Sequence, residues 1–316
     1  MGISSRVTGI DFGHHSIKAV TLTPSSHHTY NVVACSELPV PDCIFADNGM
    51  LGYQKIVKKL KELKKTFPRF SRKVAITLSD SAIITKELQL DSYENPDEKL
   101  LAIMSEQCGI LPEELAIDYL ALPYEANLSG FGPTYRVFAT RKTLINNRVK
   151  ALKAAGLIPY LINSHSQGLL QLYQSLSRGS TLATSVLLYI GHKQATLCFC
   201  SQSQDLCFHT FSYAAFEPSA SVVYPQEWLT RITPSIQRFQ SLYMRAAPQC
   251  VWIAGIGSDD GQAVARLGRQ LDWPCQMLSW NGFLHHVEHH PRCNARFAGA
   301  VGIAMQGLCW QRNHHA

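Results

Sequence analysis

Three short runs near the start of the chain are rich in apolar and β-branched residues: Val7–Asp11, Ile17–Leu22 and Tyr30–Leu38. Short runs of this kind bounded by turn formers predict strands, in which side chains repeat every second residue. The connections Gly13-His14-His15-Ser16 and Pro24-Ser25-Ser26-His27-His28 are rich in turn formers, so the runs make a β-meander. Over Leu51–Thr66 the period lengthens. Tyr53, Ile56, Val57, Leu60 and Leu63 recur at helical spacing, and Pro68 stops the helix. Val74–Leu78 reads as a strand, with Ile83–Leu90 as its antiparallel neighbour. Asn95-Pro96-Asp97 opens a helix that runs through Cys108. Strands at Ala116–Leu122 and Tyr135–Thr140 follow, then a helix over Lys142–Ala155 ended by Gly156. A short strand, Tyr160–Ile162, and a helix, Ser164–Leu176, close this half.

The second half repeats the theme. Strands at Ser185–Ile190, Ala195–Cys200 and Leu206–Tyr213 form another meander around the turn Gly191-His192-Lys193. A helix over Trp228–Tyr243, a strand at Val251–Ala254 and a glycine-bearing turn, Gly255–Gly261, come next. Gln262–Leu271 is helical, Pro274–Leu278 extended, and Arg296–Leu308 a final helix whose Ala and Gly content suits close packing on a sheet. Two meander-plus-helix halves imply a duplicated α/β protein with a cleft between the halves.

Composition narrows the class. A length of 316 residues fits two domains. With 46% hydrophobic residues and only 16% charged, the chain is not a disordered solvating one. No run approaches the roughly 18 apolar residues of a membrane span. Met1–Val7 lacks a signal-peptide core, so a cytoplasmic protein is expected. Most of the net charge of +6 comes from Leu51–Thr66, whose six lysines face one glutamate. A solvated face is the first reading of such a run, and attraction to an anionic membrane surface the second. Ten cysteines are scattered with no C-x-x-C pair, which fits reduced thiols and excludes a zinc ribbon. Cys198-Phe199-Cys200 reads as strand packing. His285, His286, His289, His290 and Cys293 cluster, and His285 with His289 would share a metal if helical. Pro291 argues against that helix, and Glu288 is the sole acidic neighbour. There is no P-loop, no nucleophile elbow and no basic patch interleaved with aromatics, so direct nucleic-acid binding is not expected.

One turn carries candidate chemistry. Asp11-Phe12-Gly13 ends a strand with a carboxylate able to hold hydrated Mg²⁺ and a glycine that lets backbone N–H groups approach phosphate. Lys18, on the returning strand, would meet a phosphate as a point charge. On residues alone, a plain hairpin explains the same pattern.

Gly9-Ile10-Asp11-Phe12-Gly13-His14-His15-Ser16-Ile17-Lys18-Ala19-Val20 resembles the first phosphate motif of the actin-like ATPase superfamily. Most of the chain resembles its PilM family, the actin-like proteins of type IV pilus assembly. Glu87-Leu88-Gln89-Leu90, Leu111-Pro112-Glu113-Glu114-Leu115, Val137-Phe138-Ala139-Thr140-Arg141-Lys142, Ala155-Gly156-Leu157-Ile158-Pro159 and Arg238-Phe239-Gln240-Ser241-Leu242-Tyr243 follow in the family's order. The resemblance implies an actin-like (ribonuclease H-like) two-domain α/β fold. Domain I would span 1–180 with a 1C-type insertion about 72–142. Domain II would span 181–316 with a reduced 2B region about 214–247, the final helix, about 296–308, packing back on domain I. It also implies ATP with Mg²⁺ as cofactor. Asp11, Gly13, His14, His15, Ser16, Lys18, Gly191, Gly255 and Gly257 would line that site, and Asp11 would serve the metal through the nucleotide.

The sequence departs from the family where nucleotide chemistry would sit. The acidic position of the second phosphate motif is Tyr189, and a neutral phenol does not organise Mg²⁺. The connecting segment reads Asn163-Ser164-His165-Ser166-Gln167, without carboxylates. Ile256 stands between Gly255 and Gly257, where a β-branched side chain would crowd a base. The resemblance with these departures implies a scaffold with weak or lost nucleotide binding and little or no hydrolysis. It would serve a type IV pilus, type II secretion or DNA-uptake complex, peripheral at the inner membrane. Its partner would be the cytosolic N-terminal peptide of a PilN-like protein, held in a groove involving Val74–Leu90; homo-oligomerisation stays open. The alternative is an active actin-fold ATPase or small-molecule kinase, for which Asp259 and Asp260 are the nearest further carboxylates.

Overall fold

The computed structural model describes residues 5–13, 15–26, 28–40, 52–122, 132–177, 185–201, 205–213, 225–244 and 246–314. Strands β1 (Val7–Phe12), β2 (Ser16–Ser26) and β3 (Thr29–Pro39) form the first meander, followed by helix α1 (Tyr53–Lys64) and strand β4 (Lys73–Leu78). A block of β5 (Ile84–Gln89), α2 (Pro96–Cys108), β6 (Leu115–Ala121) and β7 (Thr134–Arg141) comes next. Then follow α3 (Lys142–Ala154), β8 (Ile158–Ser164) and α4 (His165–Leu176). The second half holds β9 (Ser185–Ile190), β10 (Gln194–Cys200), β11 (Leu206–Ser212), α5 (Pro225–Tyr243), β12 (Cys250–Gly255), α6 (Gly261–Leu271) and β13 (Cys275–Met277). A two-residue strand β14 (Leu284–His285) and helix α7 (Ala298–His314) end it.

The strands form three sheets, ordered β14-β3-β2-β1-β4-β8, β11-β10-β9-β12-β13 and β5-β7-β6. The expected pairing of Val74–Leu78 with Ile83–Leu90 does not occur. β4 lies between β1 and β8, parallel to both, and β5 pairs with β7 in the separate sheet. The reason is burial. All but the first residue of β4 are buried, as in a central strand covered on both faces, whereas β5 is half exposed and suits a small one-sided sheet. α2 covers one face of that sheet through Leu100 and Met104 against Leu115, Tyr135, Val137 and Ala139. β14 was not foreseen; it runs parallel to β3 at the sheet edge.

α1 and α3 cover the outer face of the first sheet, with Ile56, Leu60, Leu63, Ala151 and Leu152 on Ile10, Ile17, Val74 and Ile76. Lys55, Lys58, Lys61 and Lys65 stay exposed. α5 and α6 cover the outer face of the second sheet. Between the two sheets lies the α4–α7 pair, in one core with Val7, Leu22, Leu187, Tyr189 and Ala254. α7 needs small neighbours to fit there: a Cβ on Gly9 would sit 2.6 Å from the Ala304 nitrogen. The Ala- and Gly-rich composition of the last helix is thus a packing requirement.

Candidate functional site

Strand parity turns Asp11 to the inner layer, beneath the start of α7. The register then sets a row of polar groups across the first sheet. Asp11 faces Lys18 on β2, and Lys18 faces Glu37 on β3. From β4, the Thr77 hydroxyl donates to Asp11 Oδ1 at 2.9 Å. Asp11 is only 3% exposed. Its Oδ2 lies 3.8 Å from His165 Nε2, at the first residue of α4. Lys18 Nζ donates to Ser16 Oγ at 3.0 Å and lies 3.5 Å from Glu37 Oε1. Burial alone would raise the Glu37 carboxyl. The Ser16 hydroxyl, the Lys18 ammonium and the Arg296 guanidinium outweigh that and hold it below its usual value.

The second hairpin meets the first across the cleft. His15 Nε2 and His192 Nε2 are 3.0 Å apart with the rings edge to face, so one ring donates and the other accepts. Tyr189 is turned inward on β9, its ring 4.6 Å from that of His165. Burial, reinforced by the Asp11 carboxylate, pushes its phenol well above its usual value, so it stays neutral. The Tyr213 hydroxyl, 2.6 Å from the Gly191 carbonyl oxygen, holds the second turn from beneath.

The structure therefore brings Asp11, Gly13, His15, Ser16, Lys18 and Gly191 to one locality around the two hairpins. His14 lies outside the described residues. Gly255 and Gly257 lie beside the second hairpin, at the C-terminal end of β12, where Gly255 pairs with Ile190 next to Gly191; their φ values are +88° and +71°. A Cβ on Gly255 would come 2.9 Å from the Ile190 nitrogen, which explains this glycine by close approach of β9. Ile256, between the two glycines, is partly buried and packs against the core under α5 and α6. Behind the turn is a cleft of ≈ 600 Å³ lined by residues that include Ser258, Asp259, Trp280, Leu284 and Glu288. Asp260 caps α6, accepting from the Gln262 and Ala263 amides, a structural duty.

Sequence reasoning missed Asp80. It follows β4, accepts from the Ser166 amide at the start of α4 (3.1 Å), and takes a bond from Gln194 Nε2 of the second hairpin (3.3 Å). The turn-forming run Ser79-Asp80-Ser81 after a buried strand was the available signal. Also missed was a groove of ≈ 370 Å³ on the face of the β5-β7-β6 sheet opposite α2, toward α4 and β11. Leu120, Arg136 and Phe138 form one wall, and Leu170 of α4 with Leu206 and Phe208 of β11 the other. Of the expected segment Val74–Leu90, Thr85 lines it.

A family model described as type IV pilus assembly protein PilM matches residues 9–210. Among solved structures, the PilM–PilN type IV pilus biogenesis complex superposes with a TM-score of 0.74. It is 19% identical and covers 96% of this chain and 98% of that one. Ethanolamine utilization protein EutJ from Carboxydothermus hydrogenoformans gives 0.52 at 11% identity, covering 95% and 89%. A glycerol dehydratase reactivase gives 0.51 at 6% identity, covering 96% and 100%. No curated protein sequence matches the chain. The fold is actin-like.

Proposed function

The chain belongs to the PilM family of type IV pilus assembly proteins, and from that premise we propose that it is a scaffold that grips a partner peptide rather than an ATP-hydrolysing enzyme. The peptide is the cytosolic N-terminal segment of a PilN-like inner-membrane protein. It serves a pilus, type II secretion or DNA-uptake complex and holds this chain at the cytoplasmic face of the inner membrane. No helix among the described residues is long and apolar enough to cross a membrane; in this proposal attachment runs through the partner. The lysine face of α1 adds electrostatic attraction to that surface.

The observation that carries this reading is the groove beside the inserted sheet. Its walls offer Leu120, which is 56% exposed, and Phe138 as apolar anchors, with Arg136 beside them. An extended segment with one or two apolar side chains fits such a slot, its backbone bonding to polar groups along the walls. Division into actin-like domains at about residue 180, with a 1C-type insertion about 72–142 and a reduced 2B about 214–247, is part of the same proposal.

Four features support weak or lost nucleotide binding. Asp11 is buried and already accepts from Thr77. Lys18 is engaged by Glu37 and Ser16. Tyr189 fills the position of a second carboxylate. His15 and His192 meet where the two hairpins would flank a phosphate chain. In this reading the described residues suit a Mg²⁺–triphosphate poorly, because the carboxylates beside the hairpins, Asp11 and Asp80, already accept from Thr77, Ser166 and Gln194, and the His15–His192 pair stands at the phosphate approach.

The test uses the full chain with a labelled peptide from the start of the PilN-like protein encoded beside it, read by fluorescence anisotropy. Saturable binding that Leu120→Asp weakens at least about tenfold is expected, since a carboxylate in an apolar slot is costly. Phosphate release from ATP–Mg²⁺ is measured in parallel. Absence of peptide binding, or ATP turnover abolished by Asp11→Ala, overturns the proposal in favour of an actin-fold ATPase or kinase.

A further inference from the structure

The histidine-rich segment after β14 is not the helix that would pair His285 with His289. His285 is the last residue of β14, His286 takes the left-handed conformation (φ +62°), and Val287–His289 form one turn of 3₁₀ helix closed by His290 N–H to the Val287 carbonyl. A 3₁₀ turn has three residues per turn, so positions i and i+3 eclipse. His286 and His289 therefore stack, with ring centroids 5.9 Å apart and planes at 19°. Glu288 lies between them. Its Oε1 is 3.8 Å from His286 Nδ1 and 3.7 Å from His289 Nε2. One ligating atom from each of the three residues falls within 4.8 Å of the others, the one such group among the described residues.

The turn is held from both sides. Leu284 is buried and pairs with Tyr30 of β3, and Val287 packs against the central core. Cys293, six residues later in sequence than Val287, is 2% exposed, and its carbonyl accepts from Trp280 Nε1 at 2.6 Å. The three side chains are thus displayed on a fixed base, while remaining exposed themselves.

We infer that His286, Glu288 and His289 form a binding site for a borderline divalent cation of the zinc, nickel or cobalt kind. Two imidazoles and one carboxylate suit such ions and do not suit Mg²⁺ or Ca²⁺, which prefer all-oxygen sets. Ligands about 2.0–2.1 Å from a tetrahedral ion lie about 3.3 Å from each other. Glu288 Oε1 already lies 3.7 and 3.8 Å from the two imidazole nitrogens, and the ligating atoms all lie within 4.8 Å of one another. Because the stacked ring planes cannot both contain one ion, at least one exposed imidazole turns about its side-chain torsions on binding. The remaining position stays open to water. Glu288 and Val287 also line the ≈ 600 Å³ cleft behind the Gly255–Gly257 turn, so a bound ion would stiffen the rim of that cleft. This site lies apart from the peptide groove and does not depend on the scaffold reading.

The test is isothermal titration of the full chain, carrying no polyhistidine tag, with Zn²⁺ alone. One ion per chain is expected. His286→Ala, His289→Ala and Glu288→Gln should each weaken binding at least about tenfold, since each removes one of three ligands or its charge. His285→Ala and His290→Ala should leave it within about twofold. Co²⁺ in place of Zn²⁺ should give a d–d spectrum without a thiolate charge-transfer band. No binding, equal affinity in the three ligand variants, or a thiolate band overturns the assignment. None of the five positions is buried, and unchanged melting of the metal-free variants would verify their folding.

Discussion

Replacing Gly302 by Ala tests the central layer of the fold. Gly302 of α7 faces Gly168 of α4, and a Cβ added there would overlap the Gly168 carbonyl oxygen and come 2.6 Å from its carbonyl carbon. Ordinary carbon–carbon contact is about 3.5–4.0 Å, so the helices must separate by roughly 1 Å. Both sides of the contact are backbone, so no rotamer change relieves it. α7 also packs on β1, β2 and β4, so moving it disturbs the core that joins both sheets. Overpacking of this kind costs about 1–3 kcal/mol, and with no rotamer to give way the upper end applies. Ala in place of Gly returns up to about 1 kcal/mol of helix propensity. The net is a loss of about 2 kcal/mol, or a melting temperature lower by roughly 3–6 °C. Gly261→Ala is the control. It opens α6, nothing lies within 4 Å of the added Cβ, and its stability should hold or rise by about 0.4–1 kcal/mol. Thermal melts followed by circular dichroism give the order. If Gly302→Ala melts at or above the parent, the close approach of α4 and α7 is not a constraint and the reasoning fails.

Asp80→Ala should lower stability by about 1 kcal/mol in urea titration, because it frees the Ser166 amide at the start of α4. Tyr173→Phe removes the hydroxyl that donates to the Ser185 carbonyl inside the core (2.9 Å) and should cost about 1 kcal/mol by the same measurement. Glu37 titrates below its ordinary 4.5 in the folded chain, so its stabilising contribution is complete above that value and is lost as pH falls through the folded one. Glu37→Gln should therefore melt more like the parent at acid pH than at neutral pH; an equal difference at both refutes the role given to Ser16, Lys18 and Arg296.

Much of the candidate site was legible because it is local. A strand, a glycine turn and a returning strand place Asp11 and Lys18 opposite each other by register alone, and the Tyr at position 189 can be read without a structure. The partners of Glu37, Thr77 and Asp80 were not legible, although the turn that holds Asp80 was. Each belongs to another strand or loop, and nothing in its neighbourhood of the chain signals the pairing. Ile256 adds a contact that its side-chain type alone did not announce: it packs, partly buried, against the core of the second sheet.

The sequence alone determined the elements other than β14, since periods of two and 3.6 are set by the backbone and survive without knowledge of partners. It also determined which charges the two hairpins lack, with Tyr at position 189 and no carboxylate in 163–167. Tertiary structure decided what those elements touch. β5 left β4 for a separate sheet, which created the groove proposed for the peptide. A single 3₁₀ turn exchanged His285 for His286 as the neighbour of His289. Both outcomes depend on burial and long-range pairing, which residues far apart in the chain settle together and which no local pattern encodes.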